Sequence, residues 1–295
     1  MIPLTHPVHR LIRGRTSVRT YEKRLLSAAN VDQIDRVVSG IGSGPFGSRL
    51  RIRFIGSVES DSGVLKGLGT YGVIRNPAGF VIGAVDPGPA GNGLIDFGYA
   101  MESAVLYLAD LGLGTCWLGG TFRKSRFAGR IDPAKDEIVP SVISVGYPRS
   151  RRRPLEHIMR LAAGSAMRKP WETLFFLDDL AHPLEPEDAG EYADALESVR
   201  LAPSASNRQP WRVCFDAGNR RFHFYLRRAK AYRPEKLGMA DLQRVDMGIA
   251  MCHFELAVRH AGMEGDWVHA DPSRDPHPLF LDYIMSWQIT ARSLP

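Results

Sequence analysis

The sequence predicts an α+β protein built from two related halves within one chain. Three observations carry that expectation: a repeat at one fixed offset, two helices apolar on nearly every side, and short strands interleaved with helices. The repeat is read directly. Asp96-Phe97-Gly98-Tyr99-Ala100-Met101 returns as Asp246-Met247-Gly248-Ile249-Ala250-Met251, 150 residues later. At the same offset Gly112 matches Gly262 and Trp117 matches Trp267, so six identities share one register. Internal periods of this kind mark duplicated architecture.

Taken in order, residues 25–39 have helical spacing, and Arg51 to Gly56 alternates as a strand does. Phe80 to Val85 is a short apolar run suited to a central strand, followed by a loop rich in Gly and Pro over 86–93. The helix beginning near Asp96 is apolar all round (Phe97, Ala100, Met101, Ala104, Val105, Leu108), the mark of a helix buried on every side. Asp96 is expected at its N-cap or first turn, as is Asp246 in the second copy. Glycine stops both helices, at Gly112 and Gly262. Val142 to Gly146 reads as another central strand, residues 188–200 as a helix, and Arg221 to Leu226 as a strand. Two all-buried helices in one chain are expected to pack near each other at a pseudo-two-fold axis. The halves are expected to span residues 1–165 and 166–295.

Composition narrows the class. Of 295 residues, 44% are hydrophobic and 24% charged, as in globular proteins. No apolar run approaches the roughly 20 residues a bilayer requires, and the N-terminus lacks a signal-like apolar core. A cytoplasmic protein with no membrane partner is the expectation. Cys116, Cys214 and Cys252 are widely spaced, which argues for buried thiols rather than disulfides or a zinc site. The net charge of +6 includes the run Arg149-Ser150-Arg151-Arg152-Arg153. That run is short and lacks aromatic interleaving, so an anionic cofactor or substrate explains it better than nucleic acid.

Four segments carry candidate chemistry. Arg15-Thr16-Ser17-Val18-Arg19 sets two guanidiniums and a hydroxyl at alternating positions, suited to phosphate oxygens, although a solvated basic arm would look similar. Ala202 to Trp211 is a loop of small, turn-forming and hydrogen-bonding residues that can line a polar ligand. Gly119-Gly120 permits close backbone approach to a flat ligand. The arginines after Val145-Gly146-Tyr147-Pro148 could add charge. G-x-G-x-x-G occurs twice, at Gly42 to Gly47 and Gly67 to Gly72, but each leads into a strand rather than opening a helix. There is no P-loop, H-E-x-x-H or G-x-S-x-G pattern, so Rossmann, P-loop, zinc-hydrolase and serine-elbow readings lack support, and no metal is expected.

In their order these motifs resemble the nitroreductase family of FMN enzymes. Arg15, Ser17 and Arg19 resemble its R-x-S-x-R start. Pro203, Ser204, Asn207, Gln209, Pro210 and Trp211 match its P-S-x-x-N-x-Q-P-W loop throughout. The D-x-G-x-A helix leading to Gly119 and Gly120, and V-G-Y-P with trailing arginines, are similar too. The resemblance covers nearly the whole chain and implies a nitroreductase-like fold. It also implies FMN as cofactor, NAD(P)H as hydride donor, and nitroaromatic, quinone or similar acceptors in a ping-pong reaction.

The chain departs from the family pattern in how it shares the motifs out. Its first half has the arginines and glycine pair, but Gly42 to Gly47 stands where the loop belongs. Its second half has the loop, but its start is read as Leu177 to His182, with carboxylates at Asp178 and Asp179 that would repel phosphate. The resemblance therefore implies one FMN site per chain, in a monomer that imitates a dimer. The implied cofactor contacts are Arg15, Ser17, Arg19, Gly119, Gly120, Arg152, Arg153, Pro203, Ser204, Ser206, Asn207 and Gln209. No side chain is expected to act as acid or base. The alternatives are a flavoenzyme of different reaction, such as dehydrogenation or dehalogenation, or a module that binds flavin or another phosphorylated ligand without turnover.

Overall fold

The computed structural model describes residues 2–58, 61, 63–149, 167–229, 232, 234, 239–272 and 281–292. The first half runs α1 (Val8–Gly14), α2 (Ala28–Ser39), β1 (Leu50–Gly56), β2 (Gly79–Val85), α3 (Asn92–Asp110), β3 (Gly114–Leu118), α4 (Lys124–Ala128) and β4 (Val142–Gly146). The second runs β5 (Phe175–Leu177), α5 (Ala193–Leu201), β6 (Trp211–Asp216), β7 (Arg221–Arg227), α6 (Leu242–His260), β8 (Met263–Val268) and β9 (Leu281–Arg292). The boundary expected at 165/166 lies outside the described residues.

The duplication is visible in topology. One sheet has the order β1-β2-β4-β3, all antiparallel, and the other β5-β6-β7-β9-β8. Without β5 the second order repeats the first. β5 is an addition that pairs parallel to β6 at the sheet edge. Leaving β5 aside, each sheet has its long buried helix, α3 or α6, between its second and third strands in sequence.

Those helices pack against each other, and the repeat explains how closely. A Cβ on Gly98 would sit 2.0 Å from Val245 O, and one on Gly248 would sit 1.8 Å from Ile95 O. Each glycine thus meets, on the opposite helix, the residue equivalent to its own i−3 neighbour, as a two-fold axis through the crossing demands. Polar pairs flank it: Tyr99 donates to Glu255 at 2.7 Å, and buried Glu102 and His253 approach at 2.9 Å. The apolar core is continuous across both halves, from Phe97 and Met101 to Phe222, Phe254 and Trp287.

Several sequence expectations stand, and one needs correction. Gly112 and Gly262 adopt φ of 74° and 72° just past the helix ends, as left-handed stops do. All three cysteines are free and buried. The aspartates, however, are not helix caps. Helix α3 begins at Asn92, four residues before Asp96, and Asp241 caps α6 by accepting from Gln243 N and Arg244 N. Asp96 is fully buried and accepts from Phe46 N at 2.9 Å and Ser48 N at 2.7 Å. Asp246 accepts from Ala205 N at 2.9 Å. The repeated aspartate ties down the loop of its own half, a role that its position before an apolar run disguises.

Adding a methyl group at the crossing forces the helices apart. Gly98→Ala and Gly248→Ala should each destabilise the protein by on the order of 3 kcal/mol or more. Gly218→Ala, whose Cβ would meet only Asp216 Oδ1 at an ordinary 3.5 Å, should change stability by less than about 0.5 kcal/mol. Urea unfolding midpoints of the three variants check the difference.

Candidate functional site

The arginine segment leaves α1 in extended conformation, with Arg15 as the helix C-cap. It then lies against β3. Ser17 bridges Thr115 in parallel, and Val18 N donates to Thr115 O at 2.9 Å. A Cβ on Gly114 would come 2.8 Å from Val18, so the glycine is what lets the segment approach. Further on, Glu22 N donates to Tyr147 O at 2.9 Å and Arg149 N to Thr20 O at 3.4 Å. The start of the basic run is therefore brought beside Arg19. Arg152 and Arg153 lie outside the described residues.

This segment carries an unmet demand. Arg15 Nε and both Nε and Nη1 of Arg19 are buried with no hydrogen-bond partner among the described residues. Buried donors without acceptors are costly, and guanidiniums left so are suited to an anion's oxygens. Arg15 also lines a cavity of about 410 Å³ with His6, Arg10, Thr16, Asp110 and Pro148, all of the first half.

The second-half loop is held in an uncommon shape. Ser206, Asn207 and Gln209 adopt φ of 50°, 54° and 47°, a left-handed conformation rare for side-chain-bearing residues. Several hydrogen bonds impose it. Gln209 N donates to Ser204 Oγ at 2.9 Å, and the Gln209 amide donates to Asn207 O and Oδ1 while accepting from Lys169 N at 2.8 Å. Gln209 is buried and its side chain is engaged with the loop itself; Ser206 is exposed. Strain held by dense local bonding is characteristic of binding loops. Asp246 anchors the loop from below, its Oδ2 buried without a partner among the described residues, and burial raises its pKa well above the carboxylate range.

The helices that lead to the arginines and to the loop pack together. Leu201, the last residue of α5 before the loop, packs with Val8, Leu11 and Ile12 of α1, which leads to Arg15. The glycine pair also faces the second half. A Cβ on Gly119 would meet Leu242 Cδ1 at 2.5 Å, and one on Gly120 would meet Met239 Cε at 3.2 Å. Both partners are tips of flexible side chains, one on the first residue of α6 and one three residues before it.

Two cations escaped the sequence reading. Arg168 donates to Asn207 Oδ1 at 3.2 Å and to Leu201 O at 3.1 Å, and Lys169 Nζ donates to Gln209 O at 3.2 Å. Arg168 comes 39 residues before Asn207 and Lys169 comes 40 before Gln209, and no motif draws attention to them. Leu177 to His182, read as the second half's start, comprises the last residue of β5 and the turn after it. Asp178 accepts from Ala217 N, and Asp179 from Ala181 N and His182 N, so these carboxylates satisfy backbone donors.

The first half's counterpart is built differently. Gly44 is pressed on Asp96, where a Cβ would lie 2.5 Å from Oδ1. The adjoining cavity of about 560 Å³ is walled by Gly42, Ser43, Tyr99 and Glu255. Glu255 there accepts from Tyr99, Trp267 and Arg259 at 2.6–2.7 Å. Among the described residues no helix is long and apolar enough to cross a membrane, and no cluster of metal-ligating side chains occurs.

The family described as "Putative TM nitroreductase" matches residues 8–258. A solved structure from Thermotoga maritima, itself described as a putative nitroreductase, is similar over 96% of this chain and 94% of its own. It shares 21% identity at a TM-score of 0.60. A nitroreductase with bound FMN from Bacteroides fragilis shares 18% identity over 50% of this chain and 92% of its own, at 0.39. One from Desulfitobacterium hafniense, also with bound FMN, shares 16% over 51% and 94%, at 0.39. No curated protein matches the chain. With the family matched across most of the chain and the two-module α+β fold in place, the protein belongs to this nitroreductase family and is an oxidoreductase of that type.

Proposed function

We propose that the chain binds one FMN between its halves and uses NAD(P)H to reduce nitroaromatic, quinone or similar small acceptors. The observation that carries the reading is the set of buried, unpartnered guanidinium nitrogens on Arg15 and Arg19. Phosphate oxygens are the natural complement of such donors. When bound, FMN would supply the redox chemistry, taking hydride from NAD(P)H and passing electrons to the acceptor.

The chain's own residues hold and shape that site. Arg15 and Ser17 would grip the phosphate, joined by Arg152 or Arg153. Arg19 would reach either the phosphate or the pyrimidine edge, where positive charge stabilises a reduced flavin. Arg168, held on Asn207, adds charge from the loop side. The backbone at Gly119 and Gly120 would approach the ring, with Leu242 and Met239 moving aside. Pro203, Ser204, Ser206 and Asn207 would line the opposite side, with Gln209 keeping the loop in shape. The first-half loop is clamped on Asp96, and the cavity beside it sets the Glu255 carboxylate among Arg36 and Arg259, a lining less suited to phosphate, which supports a count of one. A cytoplasmic monomer fits this arrangement.

Purified protein titrated with FMN should bind close to one equivalent per chain. A count near two, or no binding at saturation, overturns the reading. Arg19→Ala should weaken FMN by about tenfold or more, the scale of losing charged hydrogen bonds. Anaerobic mixing of the FMN-loaded protein with NADH and with NADPH should bleach the flavin absorbance with at least one donor. A spectrum unchanged by both would leave a binding module without turnover.

A further inference from the structure

Beyond the residues assigned to FMN, a second group of cations gathers at the end of the same loop. Lys169 Nζ and Arg212 Nη1 both donate to Gln209 O, at 3.2 and 3.4 Å, so two positive groups share one neutral acceptor. Arg212 also donates to Trp211 O and is 4% exposed. The β6–β7 register, with Trp211 opposite Leu226, puts Arg227 on the same sheet face as Arg212. Arg208 and Arg227 are exposed, whereas Arg212 is buried and Lys169 half-buried. The cluster therefore has a buried floor and an open rim.

None of these four forms an ion pair among the described residues. Elsewhere Arg51, Arg200, Arg228 and Arg259 each hold a carboxylate. The uncompensated charge is felt within the cluster. Burial, then the charges of Arg212, Arg227 and Arg208, push Lys169 down to about 8. Burial and Arg227 push Arg212 down to about 10. A fold that holds partly buried cations together without counter-charge is suited to a ligand that brings it.

We propose that Lys169, Arg208, Arg212 and Arg227 form a receiving site for a phosphate monoester, the 2′-phosphate of NADPH, and so make the enzyme selective for NADPH over NADH. The inference rests on the reading of the chain as an NAD(P)H-dependent flavin reductase. In that reading the FMN phosphate already has Arg15 and Arg19, which leaves this second cluster for a second anion. The loop that would line the flavin, Ser204 to Asn207, runs directly into it through Arg208 and Gln209. NADPH differs from NADH only by that phosphate. An open rim of exposed arginines suits a ligand that enters and leaves in every turnover.

The test uses two ligands and two variants. Adenosine 2′,5′-bisphosphate and adenosine 5′-monophosphate are titrated calorimetrically into the FMN-loaded protein, and kcat/KM is measured for NADPH and NADH. The wild type should bind the bisphosphate at least about tenfold more tightly. The double variant Arg208→Ala/Arg227→Ala, altered only at exposed positions, should abolish that difference. It should also lower kcat/KM for NADPH by about tenfold, with NADH changed less than about threefold and FMN content unaltered. Lys169→Met should act in the same direction. Equal affinity for both nucleotides in the wild type overturns the proposal, as do equal losses with both donors. A fall in FMN content in the double variant also overturns it and gives the cluster to the flavin phosphate. Failure of the underlying reductase reading looks different: protein that takes up no FMN, whatever its preference between the two adenosine phosphates.

Discussion

The close crossing of α3 and α6 at Gly98 and Gly248 is the constraint on which the rest of the structure depends. Backbone meets backbone there, because a single methyl group on either glycine would lie within 2.0 Å of the opposite helix's carbonyl. Such proximity leaves almost no freedom in the rotation or slide of one half against the other. Everything that one half contributes to a shared site is thereby placed relative to what the other contributes. Fusion of the two halves in one chain makes the crossing intramolecular. It also releases the two copies from having to be identical.

That release is where the asymmetry comes from. In a symmetric pair each half must carry both the phosphate-gripping segment and the lining loop. Here the equivalent aspartates, Asp96 and Asp246, still tie down equivalent loops, yet with different results. Asp96 uses both oxygens on Phe46 N and Ser48 N, and Gly44 is packed on its side chain. Asp246 uses one oxygen on Ala205 N, leaving the other buried without a partner among the described residues beneath a loop of left-handed residues. One loop has become a closed structural turn. The other keeps a strained, polar form of the kind binding loops use.

Much of this was legible in the sequence because it follows from spacing. The repeat announced two halves, the glycine stops fell at Gly112 and Gly262, and the Pro203–Trp211 loop stood out by its residue types. What escaped depends on contacts that spacing does not encode. Asp96 and Asp246 looked like caps, since an acid before an apolar run usually is one, but their partners lie 50 and 41 residues away in sequence. Arg168 and Lys169 form no motif, and only the fold lays them on Asn207 and Gln209. β5 is too short, at three residues, to register as a strand by alternation.

The crossing also reaches the proposed flavin site through a buried polar chain. His253 on α6 faces Ser198 O with Nδ1 at 2.9 Å, and a carbonyl can only accept, so Nδ1 carries a proton. Its Nε2 faces Glu102 Oε1 on α3 at 2.9 Å, a contact that needs one further proton shared between ring and carboxyl. Glu102 Oε2 accepts from Trp117 Nε1 at 2.8 Å. Both members of the pair are fully buried, so removing either leaves the other without its partner, typically a loss of about 3–5 kcal/mol. Trp117 lies on β3, two residues before Gly119. The second half's helix therefore fixes the strand that presents the first half's glycine pair. The same axis that joins the halves sets the floor on which a flat cofactor would lie.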